Sequence, residues 1–218
     1  MKAYICDVFH RCESITDWIP TNGSLSVSSS QKVEGKYSVK LTSDSGTSSS
    51  MGYYDRTVNW MEFTEIVFSV YHPGWTNEKG AVTLFTDITN WKCWEFNFAA
   101  SWTEIVIDIS STPFSSMGSL DLSNITYIIF TDPSSEDPGE DYYFDFMYAR
   151  KEITSDIYHG LSFIETSIRD FAKLEFMAKG TWEIKKNYTI VIYDNYTSNG
   201  VTTEQIIFEG NIVDYDLY

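Results

Sequence analysis

The residue that most demands a chemical account is Asp145, a single carboxylate in the aromatic run Asp141–Arg150, DYYFDFMYAR. Read as a strand, the run places Tyr143, Asp145, Met147 and Ala149 on one face and Tyr142, Phe144, Phe146 and Tyr148 on the other. A carboxylate set among large apolar side chains is costly to bury unless it is paired, hydrogen-bonded or metal-bound. Its candidate partners are loop donors, Arg150 or Lys151, or a cation.

Exposed aromatic rings are the second chemistry the chain offers. The C–H face of a sugar stacks on a flat ring while its hydroxyls take polar partners, and Tyr53, Tyr54, Trp75, Trp91 and Trp94 are the candidates for that role. Trp75 falls in the loop HPGWTNEKG and Trp91 in the turn TNWKC, where core packing is less natural. The competing role for each is a lid over a sheet edge or a protein interface. Catalysis finds no foothold. The acids show no singular spacing for a glycosidase pair, His10, His72 and His159 stand isolated, and there is neither a nucleophile motif nor a phosphate-cradling glycine loop. The chain therefore reads as a non-enzyme. Cys6, Cys12 and Cys93 lack metal-ligand spacing; buried free thiols are the expectation, with a Cys6–Cys12 bridge as the alternative.

These residues need a framework, and composition says which kind. Aromatics make up 17% of the 218 residues, alongside many Val, Ile and Thr, a balance that favours sheets. The net charge of −16 repels phosphate backbones and anionic headgroups, which argues against nucleic-acid binding and membrane insertion and leaves cations, neutral glycans or a basic partner. The opening MKAYICDVFHRC lacks the apolar core of a signal peptide, and no run has the length of a membrane span. Sequons begin at Asn22, Asn124, Asn187 and Asn195.

Strands are expected at 2–9, Ser24–Ser28, Tyr37–Thr42, Met51–Thr57, Phe63–Tyr71, Ala81–Asp87, Lys92–Ala99, Thr103–Ile109, Ile125–Thr131 and Asp141–Arg150, with Tyr37, Val39 and Leu41 facing the core. Many short strands bounded by Gly, Pro, Asn and Ser predict a sandwich or barrel. Asp132–Glu140, DPSSEDPGE, reads as an exposed acidic loop. Beyond Lys151 the pattern changes to a small β unit, with strands at Phe163–Ile168, Lys173–Lys179, Tyr188–Asp194 and Gln205–Tyr215, a hairpin turn at Asn195–Gly200, and room for a short helix within Ile157–Ala172. The expected domains are 1–152 and 153–218.

The motifs Cys12-Glu-Ser-Ile-Thr-Asp-Trp18, Glu34-Gly-Lys-Tyr-Ser-Val-Lys-Leu41, Trp102-Thr-Glu-Ile-Val-Ile-Asp108, Asp121-Leu-Ser-Asn-Ile125 and Tyr143-Phe-Asp145 follow in order over residues 6–150. In that order the region resembles carbohydrate-binding modules with a jelly-roll, galactose-binding-like sandwich. The resemblance implies an all-β fold, with Trp18 and Trp102 in the core. It also implies a structural calcium held by Glu13 or Asp7, by carbonyls near the Glu34-Gly-Lys36 turn, and by Asp145. Asn187–Asp214 looks like the small β-barrel of phage-type tail and baseplate hub proteins. Together the two resemblances imply an adhesion protein of a virion or extracellular surface that binds a glycan or cell-surface polysaccharide, assembles with other virion proteins and is open to homo-oligomer formation. The alternative they imply is a carbohydrate-binding module accessory to a secreted glycan-degrading enzyme.

Overall fold

The computed structural model describes residues 2–44, 48–54, 57–74, 78–132, 139–153, 162–166, 171–175, 189–198 and 201–211. All regular structure among them is β, and no helix long and apolar enough to cross a membrane occurs there. Two compact units emerge, Val8–Ala149 and a second comprising Met1–Asp7 with Arg150–Tyr218. The first strand and the long strand that ends the sandwich each give residues to both units, so the C-terminal unit also takes the first seven residues that the sequence pattern assigned to the N-terminal domain.

In order, the strands are β1 (Lys2–His10), β2 (Trp18–Thr21), β3 (Gly23–Ser28), β4 (Ser38–Ser43), β5 (Ser50–Tyr53), β6 (Glu65–Tyr71), β7 (Lys79–Asp87), β8 (Asn90–Asn97), β9 (Thr103–Asp108), β10 (Ser115–Met117), β11 (Tyr127–Thr131), β12 (Asp141–Glu152), β13 (Ser162–Thr166), β14 (Phe171–Glu175), β15 (Thr189–Ser198) and β16 (Val201–Asn211). The unit Val8–Ala149 is a sandwich. One sheet contains β3, β4, β12, β6 and β9, and the other has the order β10-β8-β7-β11-β5-β2. Strand periodicity places Val39 and Leu41 of β4, Ile66, Phe68 and Val70 of β6, and Val82 and Leu84 of β7 inside, each at 0% exposure. Between the sheets Phe68, Phe130, Phe144 and Phe98 form a chain of edge-on and tilted ring contacts with centroids 4.9, 5.5 and 5.6 Å apart. Trp60, also fully buried, packs on Phe9. Tyr37 lies just outside β4 and is 37% exposed, so it does not join the core expected of it.

β12 departs from simple alternation. Tyr142 and Phe144 point into the core as a strand of that register requires, but Phe146 adopts φ 43° and interrupts the pleat. Past it Met147 and Ala149, not Phe146, are at 0% exposure. Phe146 is half-buried beneath the Arg11 guanidinium, 5.3 Å from its centroid. The aromatic face of DYYFDFMYAR thus changes sides at its midpoint.

In the second unit, Lys2–Cys6 of β1 pairs antiparallel with Thr189–Tyr193 of β15, and β15 pairs with β16 through a bulge at Ile192/Tyr193. The β15–β16 ladder runs from Thr189↔Asn211 to Ser198↔Val201, so the strands continue through most of the segment read as a turn. β13 and β14 form a separate antiparallel pair that overlaps the strands expected at Phe163–Ile168 and Lys173–Lys179, with β13 and the first two residues of β14 in the stretch read as open to a helix. The Arg150 guanidinium covers the Tyr4 ring at 4.3 Å.

Candidate functional site

The outer face of the six-stranded sheet carries aromatic side chains in one continuous register. Met117 of β10 stands opposite Trp91 of β8, Trp91 opposite Phe85 of β7, and Phe85 opposite Tyr127 of β11. One step beyond the Ile128↔Tyr53 pair, Tyr54 completes the line beside Tyr127, and its N–H donates to the Asp17 carbonyl at 3.3 Å. Directly opposed side chains on one face are neighbours, so this register alone builds a row across the sheet. The rings confirm it. Phe85 and Tyr127 stack at 4.2 Å and 17°, Tyr54 and Tyr127 at 5.4 Å and 19°, and Phe85 meets Trp91 at 6.1 Å. Tyr54 is 46% and Met117 50% exposed.

Beside this ridge lies a lower row on the same face, Cys93, Thr83, Ile129 and Gly52, and beyond it a row that is polar except for Ala81, namely Glu95, Ala81, Thr131 and Ser50. The small second row makes a ledge under the aromatic wall. Gly52 has a specific reason to be glycine, because a Cβ there would overlap the Tyr54 ring. The tyrosine lies over the backbone of β5 for that reason.

The polar end of the ridge is rigid. Asp87 accepts from the Thr89 N–H (2.8 Å), the Thr89 hydroxyl (2.7 Å) and the Asn90 amide (3.0 Å), which closes the β7–β8 hairpin. Those hydrogen bonds hold the Asp87 carboxyl below its ordinary pKa. Asn90 Oδ1 accepts from Ser119 N–H at 2.8 Å and ties the hairpin to the turn at Gly118, whose φ of 60° suits glycine. Burial first, then Tyr54 and Asp87, push the Tyr127 phenol up.

Of the ring residues expected to meet a ligand, Trp91 and Tyr54 stand in this row. Tyr53 and Trp94 do not. At 3% and 4% exposure they point into the sandwich, one position out of phase with the outer face, and the Tyr53 hydroxyl donates to the Phe9 carbonyl at 3.0 Å. Trp75 lies outside the described residues. Phe85 and Tyr127 were not singled out by sequence, because only the pairing of non-adjacent strands shows that they face outward with Trp91. Trp18 is buried at 4%, whereas Trp102 sits on the outer face of the other sheet against Tyr71 at 5.7 Å instead of in the core.

Asp145 is fully buried, and its partners are main-chain donors. Oδ2 accepts from Val33 N–H at 2.6 Å and Glu34 N–H at 3.1 Å, and Oδ1 from Phe146 N–H at 2.8 Å. Glu13 Oε1 accepts from Lys36 N–H at 2.7 Å, packed where the Gly35 Cβ would otherwise lie, at φ 62°. The two acids thus clasp one turn from opposite ends of the sequence. Burial raises the Asp145 pKa, the three N–H bonds oppose that, and Glu13 adds to it. This donor set does not fit calcium as the resemblance placed it. The ion needs several oxygen ligands, whereas the 33–36 turn directs N–H groups at both carboxylates, and with Phe146 N–H three acceptor positions of Asp145 and one of Glu13 are taken. Asp7, the alternative first-strand acid, is half-buried in β1. Cys6, Cys12 and Cys93 are free thiols, and burial pushes Cys12 well up.

No family model matches the chain, and no curated protein matches it. Solved structures do. A family 11 carbohydrate-binding module from Clostridium thermocellum, in complex with a β-1,3-1,4-mixed-linked tetrasaccharide, matches with a TM-score of 0.53 at 18% identity over 68% of this chain and 95% of that one. The family 11 module of a cellulosomal cellulase from the same organism gives 0.54 at 16%, over 66% and 93%. An exo-β-agarase gives 0.55 at 11%, over 68% of this chain but 25% of the enzyme. Nothing among these matches supports the tail-hub resemblance of Asn187–Asp214. At such identities the likeness speaks for architecture, and the sandwich of this chain has the jelly-roll fold of carbohydrate-binding modules.

Proposed function

We propose that the sandwich is a non-catalytic glycan-binding module that takes a neutral, β-linked polysaccharide along the ledge of the six-stranded sheet. The observation that carries this reading is the in-register row Met117–Trp91–Phe85–Tyr127–Tyr54 above the small row that contains Thr83 and Gly52. A sugar chain laid across the strands would rest its C–H surface on the aromatic wall. Its hydroxyls would meet Thr131, Ser50 and Glu95 on the far side. The net charge of −16 disfavours polyuronates and other acidic glycans. The tetrasaccharide bound by the family 11 module is a ligand of the proposed class. An extracellular role beside a glycan-degrading enzyme fits these supports better than a virion tail, since the matched structures are carbohydrate-binding modules and a glycan-degrading enzyme and none of them supports the tail-hub resemblance of the C-terminal segment.

Affinity electrophoresis and calorimetry with mixed-linkage β-glucan, cellohexaose and agarose test the reading. Tyr54→Ala and Trp91→Ala are each expected to weaken binding about tenfold, equivalent to about 1.4 kcal/mol, and Trp102→Ala on the opposite sheet to leave it unchanged. Absence of binding to any neutral polysaccharide, or equal affinity in all three variants, sinks it.

A further inference from the structure

His72, isolated in the sequence, is not isolated in the fold. It follows β6, while Glu78 immediately precedes β7 and Glu140 immediately precedes β12, and all three backbones are anchored. His72 N–H donates to the Ala99 carbonyl at 2.9 Å, Phe98 N–H to the Glu78 carbonyl at 2.7 Å, and Ser43 N–H to the Glu140 carbonyl at 2.9 Å. Glu140 N–H returns to Ser43 Oγ at 3.1 Å. The imidazole is 2% exposed.

Its Nε2 stands 4.0 Å from Glu78 Oε2 and 3.8 Å from Glu140 Oε2, and the ligand atoms of the three residues lie within 4.8 Å of one another. Nε2 and Glu78 Oε2 are both sealed from solvent. A direct charge-assisted hydrogen bond would close such a gap to about 2.8 Å. The observed separations are a few tenths of an ångström wider than the about 3.4 Å that two ligand bonds of about 2.0–2.2 Å span at a tetrahedral angle, so small side-chain movements would bring the donors onto one cation.

We propose that His72, Glu78 and Glu140 form a binding site for a divalent first-row transition cation, with zinc as its probe. One imidazole and two carboxylates suit that class, whereas calcium takes an all-oxygen set. Tyr142 supplies the outer support. Its hydroxyl donates to Glu140 Oε2 at 3.1 Å, its ring lies 4.7 Å from the imidazole, and it is fully buried. Negative charge is concentrated here, since Glu78, Asp132 and Glu140 all act on Tyr142. Ligation through Nε2 places the ring proton on Nδ1 and gives up the long 3.3 Å approach of Gly74 N–H to that atom, a small loss against a metal bond. A cation at this point would fasten the segment after β6, the start of β7 and the start of β12 to one another.

The test uses the full chain, stripped with EDTA and dialysed, then titrated with zinc chloride and, separately, calcium chloride. Expected are one zinc per chain by elemental analysis after gel filtration, a rise in Tm with zinc but not calcium, and a cobalt(II) spectrum characteristic of imidazole and carboxylate ligation. Glu78→Gln and Glu140→Gln replace partly exposed side chains and should weaken zinc binding at least about 10–100-fold while keeping the β-sheet circular dichroism of the parent. Asp145→Asn should leave zinc affinity unchanged. Zinc absent from the parent chain overturns the proposal. So does affinity unaltered in both glutamine variants, which would mean an adventitious ion only, and so does zinc lost in Asp145→Asn but kept in Glu78→Gln.

Discussion

Asp145 and Glu140 belong to the same stretch of chain, one inside β12 and one immediately before it, yet they meet opposite surroundings. Asp145 is wholly buried and both its oxygens are taken by main-chain N–H groups of Val33, Glu34 and Phe146. Glu140, with 19% of its side chain exposed, takes the Tyr142 hydroxyl and faces an imidazole across a gap that no hydrogen bond bridges. A buried charge that the fold satisfies with its own donors is a structural clasp. One set beside a buried imidazole and a second carboxylate is placed to share a cation with them. Residue type and strand position do not separate these roles; what the carboxylate faces does.

The sharpest way to break this contrast is to truncate each acid in the metal-free protein and measure urea unfolding. Asp145→Ala takes the shared acceptor from three part-buried main-chain N–H groups and empties a fully buried position, and should cost about 3 kcal/mol, with the midpoint shifted and the slope unchanged. Glu140→Gln keeps the acceptor for Tyr142 at a partly exposed site and should cost under about 1 kcal/mol. Equal losses would mean that the clasp is no more integral to the fold than the pocket.

A smaller effect should appear in the pH dependence of stability. The Asp145 pKa is raised in the folded state, chiefly by burial, so the folded chain holds that proton more tightly than the unfolded one. The associated stability is present below the ordinary carboxylate value of about 3.9 and is lost as pH rises through the raised folded value. Asp87, Asp108 and Asp121 have the opposite sign. Hydrogen bonds from Thr89, Ser110 and Ser123 lower their pKa, so their contribution is present above the ordinary value and lost as pH falls through the folded one. These three are exposed turn residues and should titrate weakly. Stability curves between acid and neutral pH should therefore lose a component that declines with rising pH in Asp145→Asn, and one that increases with rising pH in Asp121→Asn. The same change in both variants would contradict the assigned signs.

Strand periodicity made the sandwich legible. β6, β7, β8, β9 and β11 fall within a few residues of the expected segments because each joins β-branched or aromatic residues to a clear turn. The short edge strands β2 and β10 escaped notice because Trp18–Thr21 and Ser115–Met117 carry almost no apolar alternation. Asp145 was legible as a residue that needs partners, but the face change at Phe146 was not, since a positive φ in a bulky residue has no sequence signature. The aromatic row was half legible. Tyr54 and Trp91 could be picked as rings, but Tyr53 and Trp94 carry the same chemistry one or three positions away and face inward. Parity across six strands decides between them, and that depends on pairings between distant segments. His72 looked isolated for the same reason, because Glu140 reaches it only through the order of strands in the fold.

Calcium should have the smallest effect, and it is the one that best separates clasp from pocket. The sequence resemblance assigned the ion to Glu13 or Asp7 with Asp145. To bind there it would compete with Val33, Glu34 and Phe146 N–H for the Asp145 oxygens and with Lys36 N–H for Glu13, at the expense of up to four main-chain hydrogen bonds. Each is worth about 1 kcal/mol or more when its acceptor is charged. It would then need further oxygen ligands from a turn that presents N–H groups. Scanning calorimetry after EDTA treatment, and again with millimolar calcium chloride, is therefore expected to give the same Tm. A rise of several degrees that Glu13→Gln or Asp145→Asn abolishes would return the ion to the clasp and show that its N–H bonds belong to the metal-free turn alone.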